Sequence, residues 1–169
     1  MKLLANLSVV LLLFVTLSTQ AQSNKLGHIN STELLQAMPE IKKADSTLQS
    51  YQKQLEDQNQ AMLTEYQTKL KDYQTGEPTM PDAVKEVKQQ ELQDLQNRIQ
   101  QFQQTAQDKF QAKKEELYSP ILKKAEDAIK AVAKENNYAY VFDTSAGAVI
   151  YAQEGDDLTV LVKKKLGLK

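Results

Sequence analysis

The sequence predicts an α+β fold that is mostly α: a long antiparallel helical hairpin projecting from a small β-sheet base. Three observations predict it. Residues 82–119 contain neither Gly nor Pro and are dense in Gln, Lys, Glu and Leu, and residues 40–77 form a matching stretch with Gly76 only near its end. Between them, TGEPTMP (residues 75–81) crowds Gly76, Pro78 and Pro81 together, which no continuous helix tolerates. Residues 138–152, YAYVFDTSAGAVIYA, carry the one convincing β pattern. At 1.5 Å per residue each arm is roughly 50 to 60 Å long. Two helices bury one seam but enclose no core, so the arms must project from a base or pack on copies of themselves.

Residues 1–21 read as a cleavable secretory signal peptide. Lys2 provides the positive start, Leu7 to Leu17 is apolar apart from Ser8 and Thr16, and Thr19 and Ala21 are small residues at a cleavage position. The apolar run is too short for a bilayer span. The mature chain then starts near Gln22 and has the length of one domain. Cys is absent, which excludes a lipidated Cys, disulfides and thiolate metal sites. Without Lys2 the chain holds 20 basic and 22 acidic side chains, a net charge of −2. That composition lacks the basic face of a nucleic-acid binder.

The remaining elements follow in order. Residues 25–30 form a weak strand, because Leu26 and Ile29 do not share a face at period two. Asn30, three residues before Glu33, has capping-box spacing and starts a helix carrying Leu34, Leu35 and Met38. Pro39 demands a kink or a restart at Glu40. The outgoing arm places Leu48, Tyr51, Leu55, Met62, Tyr66, Leu70 and Tyr73 on one stripe. The returning arm matches it with Val84, Val87, Leu92, Leu95, Ile99, Phe102, Ala106, Phe110 and Leu117. Around the stripes lie charge and 17 Gln between Gln49 and Gln111, a helix former that stays soluble without repulsion.

Ser119-Pro120 predicts a kink or restart, followed by a helix with Ile121, Leu122, Ala125, Ala128, Ile129 and Val132 on one face. It stops at Asn136-Asn137, which tolerate the left-handed cap. Tyr138, Tyr140 and Phe142 share one strand face, residues 144–147 turn, and residues 148–152 return as the second strand of a hairpin. An isolated hairpin is marginal in water, so it requires further strands, from residues near Leu26 or from other subunits. Asp156-Asp157 open a terminal helix with Leu158, Leu161, Val162 and Leu166 inward and Gly167 just past its end.

Strand, long helical hairpin, β-hairpin and terminal helix behind a signal peptide resemble the Skp/OmpH family of periplasmic chaperones across essentially the whole mature chain. The residues that carry the likeness are Val132-Ala133, Tyr138 to Asp143, Asp157-Leu158-Thr159, and Ile29-Asn30 before a Leu-containing helix. The resemblance implies a periplasmic homotrimer whose β segments join into a small base. In it, residues 22–39 and 120–169 form the base and residues 40–119 the tentacle, with its tip near 75–81. It implies that Ile29, Tyr140, Phe142, Val149 and Ile150 build the trimer base. It also implies that unfolded outer-membrane proteins are held between the arms, along the stripe that includes Tyr51, Met62, Tyr66, Tyr73, Phe102 and Phe110. Those six residues are read both as arm seam and as client contacts. The chain departs from the family's basic character. From Asp45 to Glu116 the arms hold 13 acidic and 9 basic side chains, which speaks against lipid or lipopolysaccharide binding.

No catalytic constellation, cofactor or metal site emerges. His28 is the single His, and without a second one it reads as a strand or interface residue rather than a ligand or base. Asp156-Asp157 cap a helix rather than chelate Ca²⁺, because the other ligands of such a loop are missing. Five unclustered Gly exclude a nucleotide loop, and Ser145 is a turn residue without a neighbouring base. The function expected is an ATP-independent holdase. The alternative is a structural or adaptor hairpin docking end-on to a fixed envelope partner, with Met80 as the one apolar anchor at its tip.

Overall fold

A computed structural model describes residues 25–168. The signal-peptide reading of residues 1–21 and the mature start near Gln22 lie outside the described residues. Strands β1 (Lys25–Ile29) and β2 (Tyr138–Asp143) pair in parallel, with Gly27 opposite Val141 and His28 opposite Phe142. Parallel neighbours require a crossover, and here the crossover is nearly the whole chain. It comprises helices α1 (Ser31–Ala37), α2 (Pro39–Gly76) and α3 (Asp82–Glu135). The predicted class, a helical hairpin on a small sheet, is the one found.

Each boundary has a local cause. Asn30 Oδ1 accepts the Glu33 N–H at 3.1 Å and caps α1. The reciprocal half of the capping box is replaced, since Glu33 pairs instead with Lys163 at 2.6 Å. The helix does restart after Met38, with Pro39 itself in the first turn, where its missing N–H costs nothing. At the far end of α3, Asn137 takes φ 58° and Asn136 donates to the Val132 carbonyl at 2.8 Å.

The arms are long, with 38 residues in α2 and 54 in α3. Their antiparallel register is read from side-chain pairs. Glu40 meets Lys124, Asp45 meets Tyr118, Asn59 meets Gln103, and Tyr73 meets Gln89. As the first partner climbs along α2 the second falls along α3 by nearly equal steps, so no stutter interrupts the seam. Ala44, Leu48 and Tyr73 of α2 and Leu92, Leu95 and Ile99 of α3 are buried along it.

Three expectations are corrected. Pro120 does not restart the helix, because α3 runs through it. A proline there removes one bond, to the carbonyl of Glu116 on an exposed face, while buried Ile121, Ala125, Ala128 and Val132 hold the following turns onto the base. Val84 and Val87 leave the seam and are 40% and 59% exposed, because Lys85 and Lys88 occupy the half-buried seam positions of the first turns. Residues 148–152 do not return as a hairpin strand. The backbone groups around them bond to β1 instead: Thr144 N–H donates to Ile29 O and Leu158 N–H donates to His28 O, both at 2.9 Å. β1 is therefore flanked by β2 and by Asp157, and the outer edge of β2 has no strand partner among the described residues.

The core sits at the base. Ile29, Leu34, Met38, Val132, Leu158 and Val162 are each 3% exposed or less. Leu158 and Val162 come from the start of α4 (Thr159–Lys165), whose first N–H groups are capped by Asp157 Oδ1 on Thr159 N–H at 2.7 Å. Leu161, expected inward, is 42% exposed, because the sequence 158, 162, 166 forms the inward face. Gly167 (φ 72°) ends the element as predicted.

Candidate functional site

Two surfaces lack the cover that a buried apolar group requires. The first is the open face of the base. The Tyr140 and Phe142 rings stack with centroids 6.4 Å apart and are 60% and 48% exposed. Leu26 projects beside them, half exposed, and Ile150 and Tyr151 are 99% and 81% exposed. Between the sheet and residues 148–152 runs an open groove of about 720 Å³, lined by Leu26, His28, Phe142, Val149, Ile150 and Tyr151. A monomer rarely leaves so many large apolar side chains contiguous and bare. Among the predicted base residues, Tyr140, Phe142, Val149 and Ile150 lie on this face, while Ile29 is buried in the chain's own core. Leu26 and Tyr151 were missed. The signal for Leu26 was its position outward of Gly27 in the alternation of β1.

The rim of this face is pinned by Asp143. Its carboxylate accepts from the Ser31 hydroxyl at 2.6 Å, the Ser31 N–H at 3.2 Å and the Ser145 N–H at 2.9 Å. Partial burial pushes its pKa up, but these hydrogen bonds outweigh that and hold it at about 2. Ser145, read as a turn residue, serves as a turn donor to this carboxylate. His28 lies in β1 with Nδ1 buried and unpartnered. No three His, Cys, Asp or Glu side chains come together as a metal site among the described residues.

The second surface is the pair of arms. Tyr73 is buried, its hydroxyl accepting from Gln89 at 2.6 Å and donating to Glu77 at 3.4 Å. Tyr51, Met62, Tyr66, Phe102 and Phe110 are half-buried, each giving one flank to the seam and the other to solvent. Large side chains on a two-helix seam have this double character by geometry, because no third helix covers them. Cross-arm contacts tie the root. Lys124 holds the Glu40 carboxyl below its usual range, and the hydrogen bond to Asp45 raises the Tyr118 hydroxyl. No described helix is long and apolar enough to cross a membrane.

Set against known proteins, residues 25–166 match the family model of outer membrane protein (OmpH-like). The chain belongs to the OmpH-like family. Among its relatives is the chaperone protein Skp of Yersinia enterocolitica, 29% identical over 156 residues covering 88% of this chain and 90% of the relative. The chaperone protein Skp of Photorhabdus laumondii is 27% identical over 165 residues, 98% of both chains. The crystal structure of an OmpH-like protein of Caulobacter crescentus superposes with a TM-score of 0.74 at 19% identity, covering 85% of this chain and 83% of that one. The fold is thus that of OmpH-like proteins, and the relatives named here are chaperones rather than enzymes.

Proposed function

We propose that the protein is an ATP-independent periplasmic holdase that binds unfolded outer-membrane proteins between the arms of a homotrimer. The observation that carries this reading is the bare apolar face of the base, with Tyr140, Phe142, Ile150 and Tyr151 exposed on it, together with the unpaired outer edge of β2. Such a face, with an unpaired strand edge, invites copies of the same chain. Tyr140, Phe142, Val149 and Ile150 then pack against neighbouring subunits, and three sets of arms surround one chamber. Residues 148–152, without backbone hydrogen-bond partners among the described residues, supply the strand that an adjacent β2 edge lacks.

Many weak contacts along the arms hold a client through effective concentration rather than one tight pocket. Sequestering the unfolded chain opposes its association by mass action. With no nucleotide loop in the sequence, release follows from the client's own folding or hand-over. The relatives' name, Skp chaperone, and the extracytoplasmic reading of residues 1–21 support this assignment. It is tested by light-scattering mass together with dilution of a urea-denatured β-barrel outer-membrane protein. Three chains per particle and suppressed client scattering without ATP are expected. A monomer, or unchanged client scattering at several-fold excess, overturns the reading.

A further inference from the structure

Near their middle, both arms are uncharged at the same level. Between Asp57 and Glu65 on α2, and between Arg98 and Asp108 on α3, every side chain is uncharged. The antiparallel register, recorded by the Asn59–Gln103 hydrogen bond at 3.3 Å, sets residues 58–63 beside residues 99–104. At 1.5 Å per residue they form a neutral belt about 10 Å tall around the hairpin. Ion pairs bracket it, Lys53–Asp57 on the root side and Lys69–Glu91 on the tip side.

The belt is built mainly of amides. Gln58, Gln100, Gln101 and Gln104 are exposed, and none of their side-chain amides bonds to another described residue, while Gln60 and Gln103 bond to Thr64 and Asn59 at 3.4 and 3.3 Å. Nearer the ends, Gln52 and Gln90 bond to Glu56 and Asp94 at 2.8 and 2.7 Å, and Gln49, Gln67, Gln74 and Gln96 are free. The hydroxyls of Thr64 and Thr105 turn back to their own helix, at 2.9 Å from the carbonyls of Gln60 and Gln101. Half-buried Met62, Leu63 and Phe102 lie among the free amides.

We propose that this neutral glutamine belt is the section of the arms that grips an unfolded client, through hydrogen bonds to the client's backbone amides and apolar contact with its side chains. The inference rests on the holdase reading above. The occupant follows from chemical complementarity. A Gln side chain carries the same donor and acceptor as a peptide group, so it can pair with either side of an exposed backbone. A charged group at the same place would lose its hydration on contact with an uncharged chain and gain nothing in return. An extended polypeptide offers an amide every residue, whatever its sequence, which fits a binder of many clients.

The test changes the charge of the belt and, separately, of the arms outside it. In one variant Gln58, Gln100, Gln101 and Gln104 become Glu; in the other Gln49, Gln67, Gln74 and Gln96, also exposed and unbonded, become Glu. Glu and Gln have similar helix propensity, and far-ultraviolet circular dichroism verifies that both variants keep the wild-type helicity. The readout is affinity for a urea-denatured β-barrel outer-membrane protein diluted into buffer. The belt variant is expected to lose roughly tenfold or more in affinity, with the outer variant within about twofold of wild type. Wild-type affinity should change less than about threefold up to 0.5 M salt, where charges are screened within a few Å. Equal losses in the two variants, an unaffected belt variant, or a steep salt dependence overturns the belt. A wild-type protein that fails to hold the client at all overturns the holdase reading itself, and the belt with it.

Discussion

Gly27 and Leu158 approach so closely that a Cβ on Gly27 would lie 2.5 Å from Leu158 Cδ1, with the Tyr138 ring at 2.9 Å on the same side. Leu158 has no exposed surface and cannot move aside cheaply. Gly27→Ala is therefore overpacking in the base, expected to cost about 1 to 3 kcal/mol. Urea denaturation followed by circular dichroism should show a lower midpoint. An unchanged midpoint would mean that the base has slack the packing does not suggest.

The same contact explains why β1 was hard to read. Its inward positions are Gly27 and Ile29, so the period-two alternation is intact, but a glycine stands where a hydrophobic side chain would announce the face. The arms, by contrast, were legible over most of their length, because a seam of Leu, Tyr, Phe and Ile at three- and four-residue spacing needs only local periodicity. Where that failed, at Val84 and Val87, the apolar residues sit one position off the stripe and Lys85 and Lys88 take the half-buried positions. The hairpin at 138–152 failed for a different reason. β propensity marks which residues become strand but not their partner, and the partner of β2 lies more than a hundred residues upstream. Of the five residues that the resemblance assigns to the base, Tyr140, Phe142, Val149 and Ile150 lie on its open face and Ile29 does not. The exposure of Leu26 and Tyr151 depended on tertiary placement.

Asp143 links the end of β2 to the start of α1 through Ser31 and Ser145. Its folded pKa is depressed from 3.8 to about 2, so it stabilises the fold fully above pH 3.8 and loses that contribution as pH falls towards 2. After discount for solvent screening at this partly exposed site the contribution is about 1 kcal/mol. Asp143→Asn should be less stable than wild type at neutral pH, and the gap should close on acidification through this window. Thermal melts of both proteins in a pH series measure it; a constant gap would show that the carboxylate's charge is irrelevant.

Tyr73 fastens the tip, buried between the arms with Gln89 and Glu77 on its hydroxyl. Tyr73→Ala removes the ring and leaves a gap worth about 3 kcal/mol or more locally. Because the base core lies at the opposite end, the loss should appear as fraying rather than global unfolding. Hydrogen exchange should accelerate in peptides covering residues 70–92 and stay at wild-type rates in β1, β2 and α4. Uniform acceleration throughout would contradict the separation of tip and base.

Pro120 lies in the interior of α3, where it removes the bond to Glu116 O. An interior proline costs about 3 kcal/mol, whereas its restriction of the unfolded chain returns at most about 1. The helix term wins, so Pro120→Ala should raise stability by roughly 2 kcal/mol. The Tyr118–Asp45 and Lys124–Glu40 pairs bracket the position and keep the register during the change. A higher melting temperature is expected; a lower one would show that the proline's restriction of the unfolded chain outweighs the lost helix bond.

A substitution at Ile150 tests the proposed assembly separately from folding. Its side chain is 99% exposed within the chain, so Ile150→Asp removes no intrachain contact and should leave the stability of an isolated subunit almost unchanged. At a subunit interface the same change buries a carboxylate against apolar neighbours, which is costly enough to drive subunits apart. The light-scattering mass should therefore fall from three chains towards one while the helical circular dichroism signal persists. Client holding should fall in parallel, since separate arms enclose no chamber. If the mass were unchanged, residues 148–152 would lie outside the contact between subunits, and the open edge of β2 would need a different partner.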